Sequence, residues 1–196
     1  MKDGANRYLY RVDAADTITF VSPQWLRFAQ DNDAAELTQQ AVIGKSIWRF
    51  IAGQETRTLY VELFRRLRAR ASEIALPFQC DSPAVIRHMS LTLRSLGGGG
   101  IECEGVLLKQ QTREPISLFS RWATRSEESI PICSSCRRLF LRDAWVEVSV
   151  AVVRKSLFAV FPLPQLDESL CPACRQKLAG ATARSLLESG REEPSS

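Results

Sequence analysis

The sequence predicts an α+β fold, an antiparallel sheet with helices on one face, followed by a small unit stapled by cysteines. Three observations carry that expectation. Short segments rich in β-branched and aromatic residues lie at both ends of residues 1–112. A helical apolar period lies between them. Two Cys-x-x-Cys pairs sit in the last third of the chain.

The elements follow in order. Tyr8 to Val12 and Thr17 to Val21 read as a hairpin, with the turn residues Asp13-Ala14-Ala15-Asp16 between them. Ser22-Pro23 supplies a helix cap and a proline at the first helical position, and Trp25, Leu26 and Phe28 begin a short helix. Residues 42–48 form a loop into a second short helix. From Gly53 to Ser72, Leu59, Tyr60, Leu63, Phe64 and Leu67 recur at helical spacing and mark one apolar stripe. Arg57, Arg65, Arg66, Arg68 and Arg70 are left to the solvated faces of that helix. Three strands follow, marked by alternation at Ile74, Leu76, Phe78 and Cys80, at Met89, Leu91 and Leu93, and at Ile101, Cys103 and Leu107. Gly97-Gly98-Gly99-Gly100 joins the last two as a hairpin loop. No helix start and no Lys-Ser/Thr pair follows it, so it is not a phosphate cradle.

Composition bounds the function. Of 196 residues, 45% are hydrophobic and 24% charged, ordinary globular values that exclude wholesale disorder. No apolar run approaches the roughly 18 residues of a membrane helix. The first residues carry a lysine but no apolar core behind it, so no secretory signal is expected and the expected location is cytoplasmic. The net charge of +4 divides evenly between residues 1–112 and the remainder, so neither part is a nucleic-acid polyelectrolyte partner.

The division expected is a first domain at 1–112, a polar linker at 113–129, a cysteine unit at 130–180 and a disordered polar tail at 181–196. The order of two strands, several helices and three strands resembles a PAS-like sensory domain. The resemblance covers Tyr8 to Lys109. It is carried by Phe20-Val21-Ser22-Pro23-Gln24-Trp25, by Val42-Ile43-Gly44-Lys45-Ser46-Ile47-Trp48, and by Phe78-Gln79-Cys80-Asp81-Ser82-Pro83. It implies a sensor or interaction module that binds a small ligand in the cup between sheet and helices, or pairs with another protein. The second unit, with Ile132-Cys133-Ser134-Ser135-Cys136-Arg137, Trp145 and Leu170-Cys171-Pro172-Ala173-Cys174, resembles a cysteine-rich module that follows bacterial sensory and receiver domains. Glu168 stands where that module has a histidine.

The residues argue for metal on their own. Two intervening residues let Cys133 and Cys136 turn their sulfurs to one point, and Cys171 and Cys174 repeat the spacing. Four thiolates suit tetrahedral Zn²⁺ in a structural site with no open position, with a reducible dithiol pair or an iron–sulfur cluster as alternatives. Cys171-Pro172-Ala173-Cys174 also has the form of a dithiol oxidoreductase motif, but no βαβ unit is expected around it. Cys80 and Cys103 read as buried small hydrophobes.

His88, the only histidine, is expected to point away from the apolar face. That removes a haem ligand and a Ser-His-Asp triad, and no flavin-adduct motif is present. Candidate lining residues for a ligand cup are Trp48, Phe50, Tyr60, Phe64, Met89 and Leu91, which equally serve as core. The expectation is a non-enzymatic signalling protein with a structural zinc, a protein partner and a homodimer interface drawn from Tyr8, Leu9, Tyr10, Leu118, Phe119 and Trp122, flanks that equally suit covering the open face of their own sheet. Two alternatives stand beside it. One is a nucleic-acid-binding regulator using Arg137, Arg138, Arg142, Arg175 and Lys177, and the other is a thiol redox sensor.

Overall fold

A computed structural model describes residues 6–70, 72–155, 157 and 161–188, with side chains through Gly180. The first unit contains β1 (Arg7–Val12), β2 (Ile18–Val21), α1 (Pro23–Asp31), α2 (Gln39–Val42), α3 (Gln54–Arg70), β3 (Glu73–Gln79), β4 (Val85–Ser95) and β5 (Ile101–Thr112). The five strands form one sheet in the order β2-β1-β5-β4-β3, antiparallel throughout.

Local chemistry sets these boundaries. Asp13 closes the β1–β2 turn by accepting the Ala15 and Thr17 N–H groups on Oδ1, each at 2.9 Å. Ser22 Oγ caps α1 by accepting the Trp25 N–H at 3.2 Å, and it also accepts the Leu9 N–H at 3.1 Å, which ties the helix to β1. The glycine loop joins β4 and β5 as a 3-10 turn, with Gly98 and Gly99 in left-handed conformation at φ 69° and 78°.

One face of the sheet packs on α3. Val12, Leu91, Leu93, Ile101 and Cys103 meet Leu63, Phe64 and Leu67 in a common core. The opposite face carries ion pairs between Arg7 and Glu104 (2.7 Å) and between Arg11 and Glu102 (2.9 Å), with Arg94 among Glu73, Glu102 and Glu104. Arg68 is not on a solvated face as expected. Its guanidinium bonds Asp16 at 2.6 Å and the Gly99 carbonyl at 2.8 Å, tying α3 to the hairpin turns at one end of the sheet.

The second unit has β6 (Arg125–Cys133), β7 (Leu139–Leu141), β8 (Ala144–Val146), α4 (Val148–Arg154), β9 (Leu163–Ser169) and α5 (Pro172–Glu188). Its four-stranded sheet runs β8-β7-β6-β9, and β6 and β9 are parallel, with α4 in the connection. Ile130, Ile132, Leu139, Leu141, Val148 and Val152 form its core.

Two features differ from the sequence expectation. Residues 113–129 are not an open tether, because Ile116 and Leu118 are buried in the second core and β6 begins at Arg125. Leu118 therefore fills a core, while Trp122 remains 75% exposed. Helix α5 continues to Glu188, into the stretch expected as a tail; residues 189–196 lie outside the described residues.

Arg113 shows why this connection is ordered. It bonds Asp81 Oδ2 at 2.9 Å and donates to the carbonyls of Ser82 (2.7 Å) and Pro83 (3.1 Å). The Asp81 side chain is 0% exposed, so its charge needs this partner.

Candidate metal centre

The cysteines come from two knuckles that the sheet register sets side by side. Cys133 ends β6, and its backbone accepts from Arg137 N–H at 2.9 Å while donating to the Arg138 carbonyl at 2.8 Å. Arg137 takes a left-handed φ of 59° to close that turn. Parallel pairing places Cys133 opposite Ser169, two residues before Cys171, and Ser134 N–H bonds the Ser169 carbonyl at 2.8 Å. Cys171 sits at the junction of β9 and α5, and Cys174 lies in the first turn of α5.

All four Sγ atoms of Cys133, Cys136, Cys171 and Cys174 lie within 4.8 Å of one another, and Cys136 and Cys171 are 3.8 Å apart. A tetrahedral ion with Zn–S bonds of about 2.3 Å needs sulfurs about 3.8 Å apart, so the cluster can hold a metal ion such as zinc. Cys133, Cys171 and Cys174 are buried and Cys136 is half-buried.

Backbone N–H groups already face the sulfurs. Cys171 N–H points to Cys133 Sγ, and Cys174 N–H to Cys171 Sγ, each at 3.4 Å. A hydrogen bond from the Cys136 thiol pushes Cys133 down to about 4, assisted by the Cys171, Cys136 and Ser135 amides. The same bond raises Cys136, and burial raises Cys174 to about 11. A divalent cation bound by the four cysteines displaces their thiol protons as it binds.

The centre lies against the first unit rather than apart from it. Cys133, Cys171, Cys174, Leu170 and Leu178 belong to the same apolar core as Leu63 and Phe64. Gln79 N–H donates to the Ser135 carbonyl at 2.8 Å, so the first knuckle caps the edge of β3. Glu168, which replaces the resembled module's histidine, bonds Arg137 at 2.8 Å and so links the two knuckles.

The first turn of α3 is the part that sequence reasoning missed. Glu55 Oε2 accepts the Leu170 N–H at 2.9 Å, and that bond is the main reason its carboxyl titrates below the usual range. These residues are 115 positions apart, and no local pattern announces such a pair.

Four of the candidate cup residues, Trp48, Tyr60, Phe64 and Leu91, share the core of the first unit. Trp48 donates its indole N–H to Asp16 at 3.0 Å and packs 5.5 Å from the Phe64 ring. Phe64 and Met89 are buried, whereas Phe50 lies at the surface, 38% exposed. Tyr60 and Leu91 line a cavity of about 60 Å³ shared with Leu170 and Leu178, and Met89 lines a second, of about 410 Å³, with Phe78, Cys136 and Cys171.

His88 is exposed, as expected, and Cys103 is buried, with burial pushing its thiol up to about 12. Cys80 lies just beyond β3 and is half-buried. Of the basic residues weighed for phosphate contact, Arg137, Arg138 and Arg175 pair with Glu168, Glu147 and Glu55. The setting of Cys171-Pro172-Ala173-Cys174 differs from expectation. It starts α5 directly after β9, and β9 lies parallel to β6 across the α4 connection. The convergence of Cys133 and Cys136 on the same point distinguishes it from an isolated dithiol.

No protein-family model matches the chain, and no curated protein is significantly similar to it.

Proposed function

We propose that this is a non-enzymatic cytoplasmic signalling protein, in which a PAS-like input or dimerisation unit is coupled to a structural zinc unit that docks a partner. The observation that carries the reading is the convergence of four thiols at zinc spacing on the seam between the two sheets. Four sulfurs complete a tetrahedral shell and leave no position for substrate or water, so the ion holds structure. The antiparallel sheet, with two strands before its helices and three after them, supports the PAS-like part. The packing of Trp48, Tyr60, Phe64 and Leu91 into its core favours signalling through association with a partner or a second copy. No helix among the described residues is long and apolar enough to cross a membrane.

The test is metal analysis of protein purified without chelator, alongside light scattering at tens of micromolar. One zinc per chain, lost in Cys133→Ser with Cys171→Ser, is the expected result, together with the mass of a dimer. Metal-free wild-type protein contradicts the zinc reading, and a monomer contradicts the dimer. A redox sensor is the second reading, favoured by the position of Cys171 at a helix start after a strand. Thiol counting on zinc-loaded protein separates them, because the redox reading requires a disulfide to form reversibly under mild oxidant.

A further inference from the structure

Helix α3 belongs to the first unit, yet its first turn touches both cysteine knuckles. Glu55 uses one oxygen for the Leu170 N–H (2.9 Å) and the other for Arg175 (2.5 Å). It therefore grips the chain immediately before Cys171 and immediately after Cys174. Thr56 Oγ1 bonds Ser134 Oγ at 2.9 Å, and Ser134 Oγ reaches the Ser169 carbonyl at 3.1 Å. That hydroxyl pair connects α3 to the first knuckle and, through it, to the strand leading into the second. None of these groups touches a sulfur, but together they set how the two knuckles face each other.

We propose that Glu55 and Thr56 are positioning residues of the metal centre, so that the conformation of the α3 first turn sets metal affinity. The inference rests on reading the four cysteines as a metal site. Tetrahedral ligation needs both knuckles in register at once, and groups that orient ligands from outside the first shell typically change affinity about 10–100-fold when removed. The linkage is reciprocal. Whatever displaces the first turn of α3 weakens the metal, and metal binding resists that displacement by the same factor. The centre thereby becomes a coupling point between the two units as well as a staple.

A merely structural role predicts a different pattern. The Glu55–Arg175 pair is exposed on both sides, and exposed pairs contribute little to global stability. Removing Glu55 should therefore move the metal readout more than the melting temperature.

The experiment uses the full chain loaded with zinc and follows equilibrium competition with a chromophoric zinc chelator. Wild type is compared with Glu55→Ala, Glu55→Gln, Thr56→Val and Thr56→Ser. Glu62→Gln serves as the control, since Glu62 lies on the same helix and pairs only with its own Arg65 and Arg66 among the ion pairs described. Zinc affinity is expected to fall about tenfold in Glu55→Ala and in Thr56→Val. Glu55→Gln, which keeps an acceptor for the Leu170 N–H, and Thr56→Ser, which keeps the hydroxyl, should stay close to wild type. Melting of the zinc-saturated proteins should change little. Wild-type affinity in Glu55→Ala and Thr56→Val overturns the inference, as does a loss no larger than that of Glu62→Gln. If wild type binds tightly and the variants are unaffected, the metal reading survives and only the positioning role fails. Wild type that takes up no zinc overturns both.

Discussion

Gly53 lies against Glu168 of the second unit, and Gly53→Ala measures what that approach requires. Its φ of +78° lies in the left-handed region, and a Cβ there would stand 2.5 Å from the Glu168 carbonyl oxygen. The conformation alone costs an L-residue about 1–2 kcal/mol. The collision is with backbone, which cannot rotate aside, so an overpacking cost of about 1–3 kcal/mol adds to it. A total near 3 kcal/mol corresponds to a melting decrease of roughly 10 °C in a chain of this size. Gly44 supplies the internal control, because its φ is +76° but nothing lies within 4 Å of the added Cβ. Gly44→Ala should show the conformational cost alone, a decrease of roughly 4 °C. The assay is thermal denaturation by circular dichroism on zinc-loaded protein, repeated in urea. Equal destabilisation of the two variants refutes the claim that Gly53 is constrained by the second unit.

Arg113→Ala should cost about 3–5 kcal/mol in urea denaturation, because it leaves the buried Asp81 carboxylate unpaired; Arg113→Ala with Asp81→Asn should recover part of that loss. Leu118→Ala, in the second core, should cost about 2–5 kcal/mol, whereas Trp122→Ala should change monomer stability by less than about 0.5 kcal/mol, so a Trp122 effect on light scattering reports association. Burial raises the folded Cys103 thiol to about 12, above the roughly 8.5 of an unfolded chain. The unfolded state loses its proton first, so this contribution is complete below about pH 8.5 and is lost as pH rises toward 12. Melting temperature against pH should therefore fall less steeply between pH 9 and 11 in Cys103→Val than in wild type.

Local physics made much of the fold readable. The Ser22-Pro23 cap, the apolar stripe through Leu63 and Leu67, and the alternation along β3, β4 and β5 all act between near neighbours in sequence. The four cysteines were readable for the same reason, since chelate spacing is local. Leu118 shows where such reading stops. An apolar residue in a polar stretch fits an interface or a core equally well until its neighbours are known, and here they are strands from the second unit. The cup candidates carry the same ambiguity, because Trp48 and Phe64 have the composition of a pocket wall and also pack on each other. Glu55, Thr56 and Gly53 carry no signal at all in one dimension. Their roles arise from residues more than 70 positions away, and a carboxylate in a helix first turn is explained well enough by the helix dipole alone.

A closed four-sulfur metal centre on the seam between the two sheets is read out by zinc-edge X-ray absorption on protein purified without chelator. One zinc per chain, with four sulfur neighbours at about 2.3 Å and no nitrogen or oxygen bound to it, is the expected result. A spectrum requiring a nitrogen or oxygen ligand, or protein that carries no zinc, would contradict it.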